Sequence, residues 1–100
     1  MNDADSRAAA GKAFRSGFSG VIRIAPEGGK PFDIDGRGPL CVIEEADPSR
    51  EPDCTWRASG ETLIRIFEGG RALESAYLSG RLSIVGDMSI MARLYLESSR

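Results

Sequence analysis

Two pairs of residues in this chain have the types and spacing from which chemistry is built. Asp33 and Asp35, two apart in a stretch of alternating polarity, have the makings of a carboxylate pair for proton transfer or for a hard cation. Cys41 and Cys54 are candidates for a redox couple. Neither reading goes far. The alternation places both carboxylates on the polar face of a strand beside a turn, with no adjacent nucleophile or further ligand, so a solvated face is expected. The cysteines lack Cys-x-x-Cys spacing and cannot complete a structural zinc site without borrowed ligands; their apolar surroundings predict buried, reduced thiols. The chain has no histidine, which removes the usual general base, the commonest metal ligand and every Ser-His or Cys-His nucleophile pair. The expectation is a non-enzymatic chain without cofactor or metal.

Other function classes fall on charge and glycine placement. Gly28-Gly29 joins two strands and Gly69-Gly70 closes a helix, whereas a phosphate cradle runs from a strand into a helix N-terminus. Net charge is −2, with acids and bases interspersed and Lys12 and Lys30 the only lysines, which argues against a nucleic-acid partner and against a polybasic membrane anchor. No integral membrane segment is expected, because no apolar run approaches a bilayer's thickness. Residues 1–17 hold no apolar leader core, so the expected location is the cytoplasm. With 100 residues, the chain supports one core.

The elements that must position any site follow from periodicity. Residues 1–17, small and Ala-rich with Phe14 as the one large apolar group, are expected to be weakly ordered or a short helix ahead of a domain over 18–100. From Phe18 the period is two: Phe18, Gly20, Ile22 and Ile24 alternate with Ser19, Val21 and Arg23 as a first strand. Turns at 26–31 and 36–39 lead to a second strand with Phe32 and Ile34 on one face, and a third over Leu40 to Ile43, apolar enough to be buried on both faces. Short turns between them predict antiparallel pairing. After a longer polar connection, Cys54, Trp56 and Ala58 mark a fourth strand.

A helix capped by Ser59, with Glu61 in its first turn, gathers Leu63, Ile64, Ile66 and Phe67 on one face. A second short helix carries Leu73, Ala76 and Tyr77 and ends at Gly80; Arg81 to Val85 then form a fifth strand. Gly86-Asp87 breaks that strand, with Asp87 as N-cap of a last helix from Met88 to Leu96. At about 100° per residue, only Ser89, Arg93 and Glu97 interrupt its apolar circumference.

Three apolar helix faces and this last helix compete for one small sheet. Leu63, Ile66, Phe67, Leu73, Tyr77, Leu82, Ile84, Met88, Met91 and Tyr95 each read singly as ordinary core. Together they are more apolar surface than the sheet needs, and they read as the wall of a site for a hydrophobic molecule, with Met88 and Met91 able to adapt to variable shapes. At roughly 0.8 kcal/mol per buried CH₂, about ten methylenes would contribute on the order of 8 kcal/mol before ordering costs. The second reading is an accessory or dimerisation domain whose last helix, around Ile90 and Leu94, docks on an enzyme or on a second copy.

The stretch from Cys54 to Leu96 resembles the C-terminal half of the sterol carrier protein type 2 domain, a non-specific lipid-transfer module. Leu63, Ile66, Phe67 and Gly69 match its first helix pattern, Ala72, Ala76 and Tyr77 its second, and Gly80, Leu82, Ile84, Gly86, Asp87 and Met88 its Gly-x-Leu-x-Ile-x-Gly-Asp-Met strand-to-helix element. The resemblance implies an α+β fold, a five-stranded, largely antiparallel mixed sheet with helices on one face. It also implies an apolar tunnel between sheet and helices for a fatty acyl chain, a sterol or a similar apolar ligand. By position, Ile66, Phe67, Tyr77, Leu82, Ile84, Met88 and Met91 would line or border it. Family members open with a substantial amphipathic helix; here the Ala-rich segment stands in that place, which leaves cover to a more open cavity or to a partner.

Overall fold

A computed structural model of the chain describes residues 3–69 and 71–94. These form α1 (Asp3–Ala13), β1 (Val21–Pro26), β2 (Phe32–Asp35), β3 (Val42–Glu45), β4 (Cys54–Ala58), α2 (Gly60–Phe67), α3 (Ala72–Leu78), β5 (Ser83–Gly86) and α4 (Ser89–Arg93). The strands make one sheet in the order β3-β2-β1-β4-β5, with every neighbouring pair antiparallel except β1 and β4. The fold is α+β with a mixed sheet, as the resemblance implies.

Register sorts the side chains onto two faces, because residues paired across strands point the same way. One row runs Ile43, Ile34, Ile22, Cys54, Gly86 and the next Glu45, Phe32, Ile24, Trp56, Ile84. This apolar face is covered by helices. In α2 the apolar stripe Leu63, Ile66 and Phe67 is buried, and the Ser59 hydroxyl accepts the Thr62 N–H at 3.1 Å as the expected cap. The segment before residue 18 contributes an 11-residue helix whose Ser6, Ala10 and Ala13 are buried. Small side chains let α1 lie close on α2, where a methyl added at Gly60 would touch the Ser6 hydroxyl. Phe14, directly after α1, is a hub: its ring centroid lies 5.8 Å from Trp56, 5.6 Å from Phe67 and 6.2 Å from Phe18. Burying aromatic surface here does what the helix's weak amphipathicity cannot.

The readings of two strands and of the last helix shift. The first strand begins at Val21 rather than Phe18, because Phe18 and Ser19 both donate their N–H groups to the Gly36 carbonyl, with Ser19 at a φ of 63°. The third begins at Val42; Leu40 forms only an isolated bridge to Ser16 and is exposed. It is an edge strand and not buried on both faces: α1 packs beside it, while Val42 faces solvent. The last helix ends at Arg93, since Leu94 is extended with ψ 134°; the remainder of its expected span, including Tyr95, lies outside the described residues.

The other sheet face holds the largest departure. Asp33, expected on a solvated face, is fully buried. The connection from β3 to β4 folds back over it, and its carboxylate accepts from Arg23 Nε at 2.8 Å, Arg23 Nη2 at 3.1 Å and Arg50 Nη2 at 2.9 Å. Arg23 also donates to the carbonyls of Asp47 and Arg50, and Arg50 to Glu44 at 2.7 Å. Burial pushes the Asp33 carboxyl up, but the hydrogen bonds from Arg23 and Arg50 outweigh it and hold the group below the ordinary carboxylate range. Hydrogen bonds from Arg37 hold exposed-side Asp35 at about 2.

Removing the central charge would strand two cations, so Asp33→Ala should cost roughly 3 kcal/mol in urea unfolding; a loss under about 1 kcal/mol would contradict this role. Since both carboxyls bind protons less readily folded than unfolded, their stabilisation is full above the ordinary value of 3.8 and is lost as pH falls through the folded values, about 2 for Asp35. An unfolding midpoint that held constant across that interval would argue against the linkage.

Candidate functional site

At the β5 edge, α3, β5 and α4 leave an apolar cleft of about 240 Å³, lined by Leu73, Glu74, Tyr77, Ile84, Met88 and Met91. Each element is set there by a local feature. Ala76 is the buried residue of α3, and its carbonyl accepts the N–H groups of Arg81 and Leu82 at 2.9 and 3.0 Å. Leu73 and Tyr77, four apart, therefore turn together toward the cleft. Gly86, at a φ of 119°, turns the chain out of β5; a side chain there would strike the Asp53 carbonyl and Cys54. Asp87 then accepts the Ser89 N–H at 2.9 Å and its hydroxyl at 2.6 Å, bonds that hold its carboxyl below the ordinary range. These bonds form a turn ahead of α4; the N-cap position expected for Asp87 is taken by Met88, which makes no side-chain cap bond. Inside α4, Ile90 is buried against Gly20, and Arg93 Nε donates to the Phe18 carbonyl at 3.1 Å. With Ile90 pinned inward, Met88 and Met91 border the cleft.

The structure thus brings together Leu73, Tyr77, Ile84, Met88 and Met91 of the expected binding set. Leu63, Ile66, Phe67 and Leu82 lie elsewhere, packed in the core. Between sheet and helices the space at the centre is filled by Phe14, Trp56, Phe67 and their neighbours. The opening is lateral, at the sheet edge. Around it, Tyr77 is 47% exposed, Met88 43% and Leu78 75%. The wall is carbon and sulfur, and of the lining residues only Glu74 and Tyr77 bear side-chain oxygen. The cleft sits just under the roughly 300–1,000 Å³ of common small-molecule pockets, enough for part of an alkyl chain.

Glu74 was missed in the sequence because a charge between Leu73 and Tyr77 reads as solvent-facing; only the lateral position of the cleft brings it to the rim. The cysteines offer no reactive thiolate: burial pushes Cys54 up to about 11, opposed by the neighbouring Trp56 indole, and burial also raises Cys41, whose thiol donates to the Ser16 carbonyl. Among the described residues no group of acidic residues and cysteines is arranged to hold a metal ion.

A family model described as the SCP-2 sterol transfer family matches residues 1–95. Among solved structures, the chain is similar to a UbiJ-SCP2 ubiquinone synthesis protein, at 19% identity and TM-score 0.62 over 88% of this chain and 70% of that one. It is similar to sterol carrier protein 2 from Yarrowia lipolytica in its apo form, at 16% identity and TM-score 0.57 over 91% and 75%. It is also similar to a segment of the inverting sec-alkylsulfatase Pisa1 from Pseudomonas sp., at 16% identity and TM-score 0.61 over 95% of this chain but 14% of that one. No curated protein matches by sequence.

Core and cleft should respond differently to truncation. Leu63→Ala should cost about 3 kcal/mol by chemical denaturation, as for a fully buried leucine, whereas Met88→Ala should cost less than about 1 kcal/mol. Equal losses would mean that the cleft wall is packed as tightly as the core.

Proposed function

The chain belongs to the SCP-2 sterol transfer family, and from that premise we propose that it binds and carries a lipid in the lateral cleft, without catalysing a reaction on it. The observation that carries this reading is the convergence of Leu73, Tyr77, Ile84, Met88 and Met91 on one opening with almost no polar wall. Burial of methylenes supplies the affinity, and the unbranched methionines accommodate chains of differing shape. The exposed Leu78 and Tyr77 extend the apolar surface beyond the cavity, giving the part of an acyl chain or sterol that exceeds it a surface to follow. Among the described residues no helix is long and apolar enough to cross a membrane.

A second reading is an accessory domain seated on an enzyme. Its support is the likeness to a segment that makes up 14% of the alkylsulfatase chain. Ile90 is committed to this chain's own core, so such an interface would use Tyr77, Leu78 and Met88 instead.

Titration with a fluorescent fatty acid should saturate at micromolar protein, and Met91→Glu should weaken binding at least roughly tenfold, because a carboxylate cannot be buried against the chain without loss. Circular dichroism of the variant should match the parent. Absence of probe binding together with an organic extract free of lipid would overturn the carrier reading, and a concentration-dependent dimer dissociated by Leu78→Glu would favour the accessory one.

A further inference from the structure

A separate cavity of about 470 Å³ lies between α2 and α3, and its wall is polar: Thr62, Arg65, Glu68, Ser75 and Arg81. Small residues on this side of α3, Ala72, Ser75 and Ala76, leave the space open, while Leu73 and Tyr77 on its other side border the apolar cleft. Arg81 is oriented here without being neutralised. Its backbone N–H donates to the Ala76 carbonyl at 2.9 Å, its Nε to the Ser79 hydroxyl at 2.8 Å and its Nη2 to the Ser75 hydroxyl at 3.1 Å. Arg23, Arg37, Arg50 and Arg65 each pair with a carboxylate, whereas among the described residues no carboxylate forms an ion pair with Arg81. The serines thus hold a long side chain in one geometry with its charge uncompensated, so a ligand does not have to meet the cost of ordering it.

The hydrogen-bonding capacity left in the groove is nearly all donor. A guanidinium has five N–H donors, of which the two serine bonds of Arg81 use two. The Ser59 hydroxyl donates to that of Thr62 at 2.9 Å, which leaves the Thr62 proton to donate elsewhere; the Ser75 hydroxyl, accepting from Arg81, is in the same position. Glu68, the acid in the wall, is engaged in an interaction of its own. We propose that this groove binds a phosphate monoester, whose terminal oxygens accept from Arg81, Ser75 and Thr62 and whose charge is shared with Arg65. A phosphate ester offers three terminal oxygens to this excess of donors where a carboxylate offers two. The volume falls within the roughly 300–1,000 Å³ of small-molecule pockets, which leaves room for the organic part of the ester. The groove is distinct from the apolar cleft and does not rest on the carrier reading; its ester is a soluble metabolite or the headgroup of a lipid.

In a ¹H–¹⁵N NMR titration of the full chain, sn-glycerol 3-phosphate should give saturable shifts of the Ser75 and Arg81 amides and the Arg81 Nε–H, and glycerol should give none. Arg81→Gln should weaken binding at least roughly tenfold, because its charge-assisted hydrogen bonds are lost. Arg65→Gln breaks only an exposed pair with Glu61, leaves the fold intact and should weaken binding roughly threefold. Arg57→Gln, exposed on β4 outside the groove, should leave it within about 1.5-fold. Dihexanoyl phosphatidic acid separates the two sources. If it shifts the Met88 and Met91 methyl signals together with Arg81, the groove holds a lipid headgroup; if it shifts Arg81 and leaves those methyls in place, the groove takes a soluble ester, and either result upholds the phosphate site. Losses at Arg81 and Arg65 no larger than at Arg57 would overturn it, as would the absence of any Arg81 shift with either compound up to about 20 mM. Phosphatidic acid that shifts the methyls without Arg81 overturns the groove and leaves the carrier reading standing.

Discussion

The order of this sheet requires the chain to leave β3 at one edge and return to the centre, laying β4 parallel to β1, and the return is held by one buried carboxylate. Asp33 receives two arginines from different stretches of chain, Arg23 on β1 and Arg50 on the returning connection, while Arg23 reaches over to carbonyls of that same connection. Asp53 completes the junction by accepting the Val21 N–H at 2.7 Å, and its own N–H is donated back to the Val21 carbonyl. A parallel pair cannot be closed by a tight turn. Here the long connection is fixed by charge, and the register of β4 against β1 follows from where it is fixed. Trp56 opposite Ile84 and Cys54 opposite Gly86 inherit their places from that register.

The two sheet faces therefore depend on different physics. On the covered face, burial of Ile22, Ile24, Phe32, Ile34 and Trp56 against Phe14 and α2 supplies non-directional cohesion. On the other, a directional network fixes alignment. Buried ion pairs add little net stability when their desolvation is counted, yet losing one member is severe. The arrangement selects one strand order more than it raises the stability of the whole.

Much of this was legible in the sequence, and the exceptions have physical causes. Period-two runs located β2, β4 and the body of β1, while the apolar run read as β3 began two residues early; Ser59 and Glu61 located α2, and the Gly-x-Leu-x-Ile-x-Gly-Asp-Met run located the β5 to α4 turn. Asp33 was misread because alternation reports which residues share a face, not whether a loop later covers it. The length and placement of α1 were obscured since its contact uses Ser6, Ala10 and Ala13, small groups with little hydropathy, and its aromatic anchor Phe14 lies beyond its last turn. Of the cleft, Leu73, Tyr77, Ile84, Met88 and Met91 were readable as apolar surplus. Their separation from Leu63, Ile66, Phe67 and Leu82 was not, because periodicity gives every residue on an apolar stripe the same standing and only packing decides which are enclosed.

The attachment of α3 has a kinetic side. Two turns long, with Ala76 as its buried residue and left-handed glycines at 69 and 80, this helix commits few apolar atoms to the core that α1, α2 and the sheet share. Regions so lightly tethered open with free energies well below that of global unfolding. Access to the cleft at the sheet edge can then be governed by the local opening of one short helix, while the ion-pinned sheet beneath stays folded.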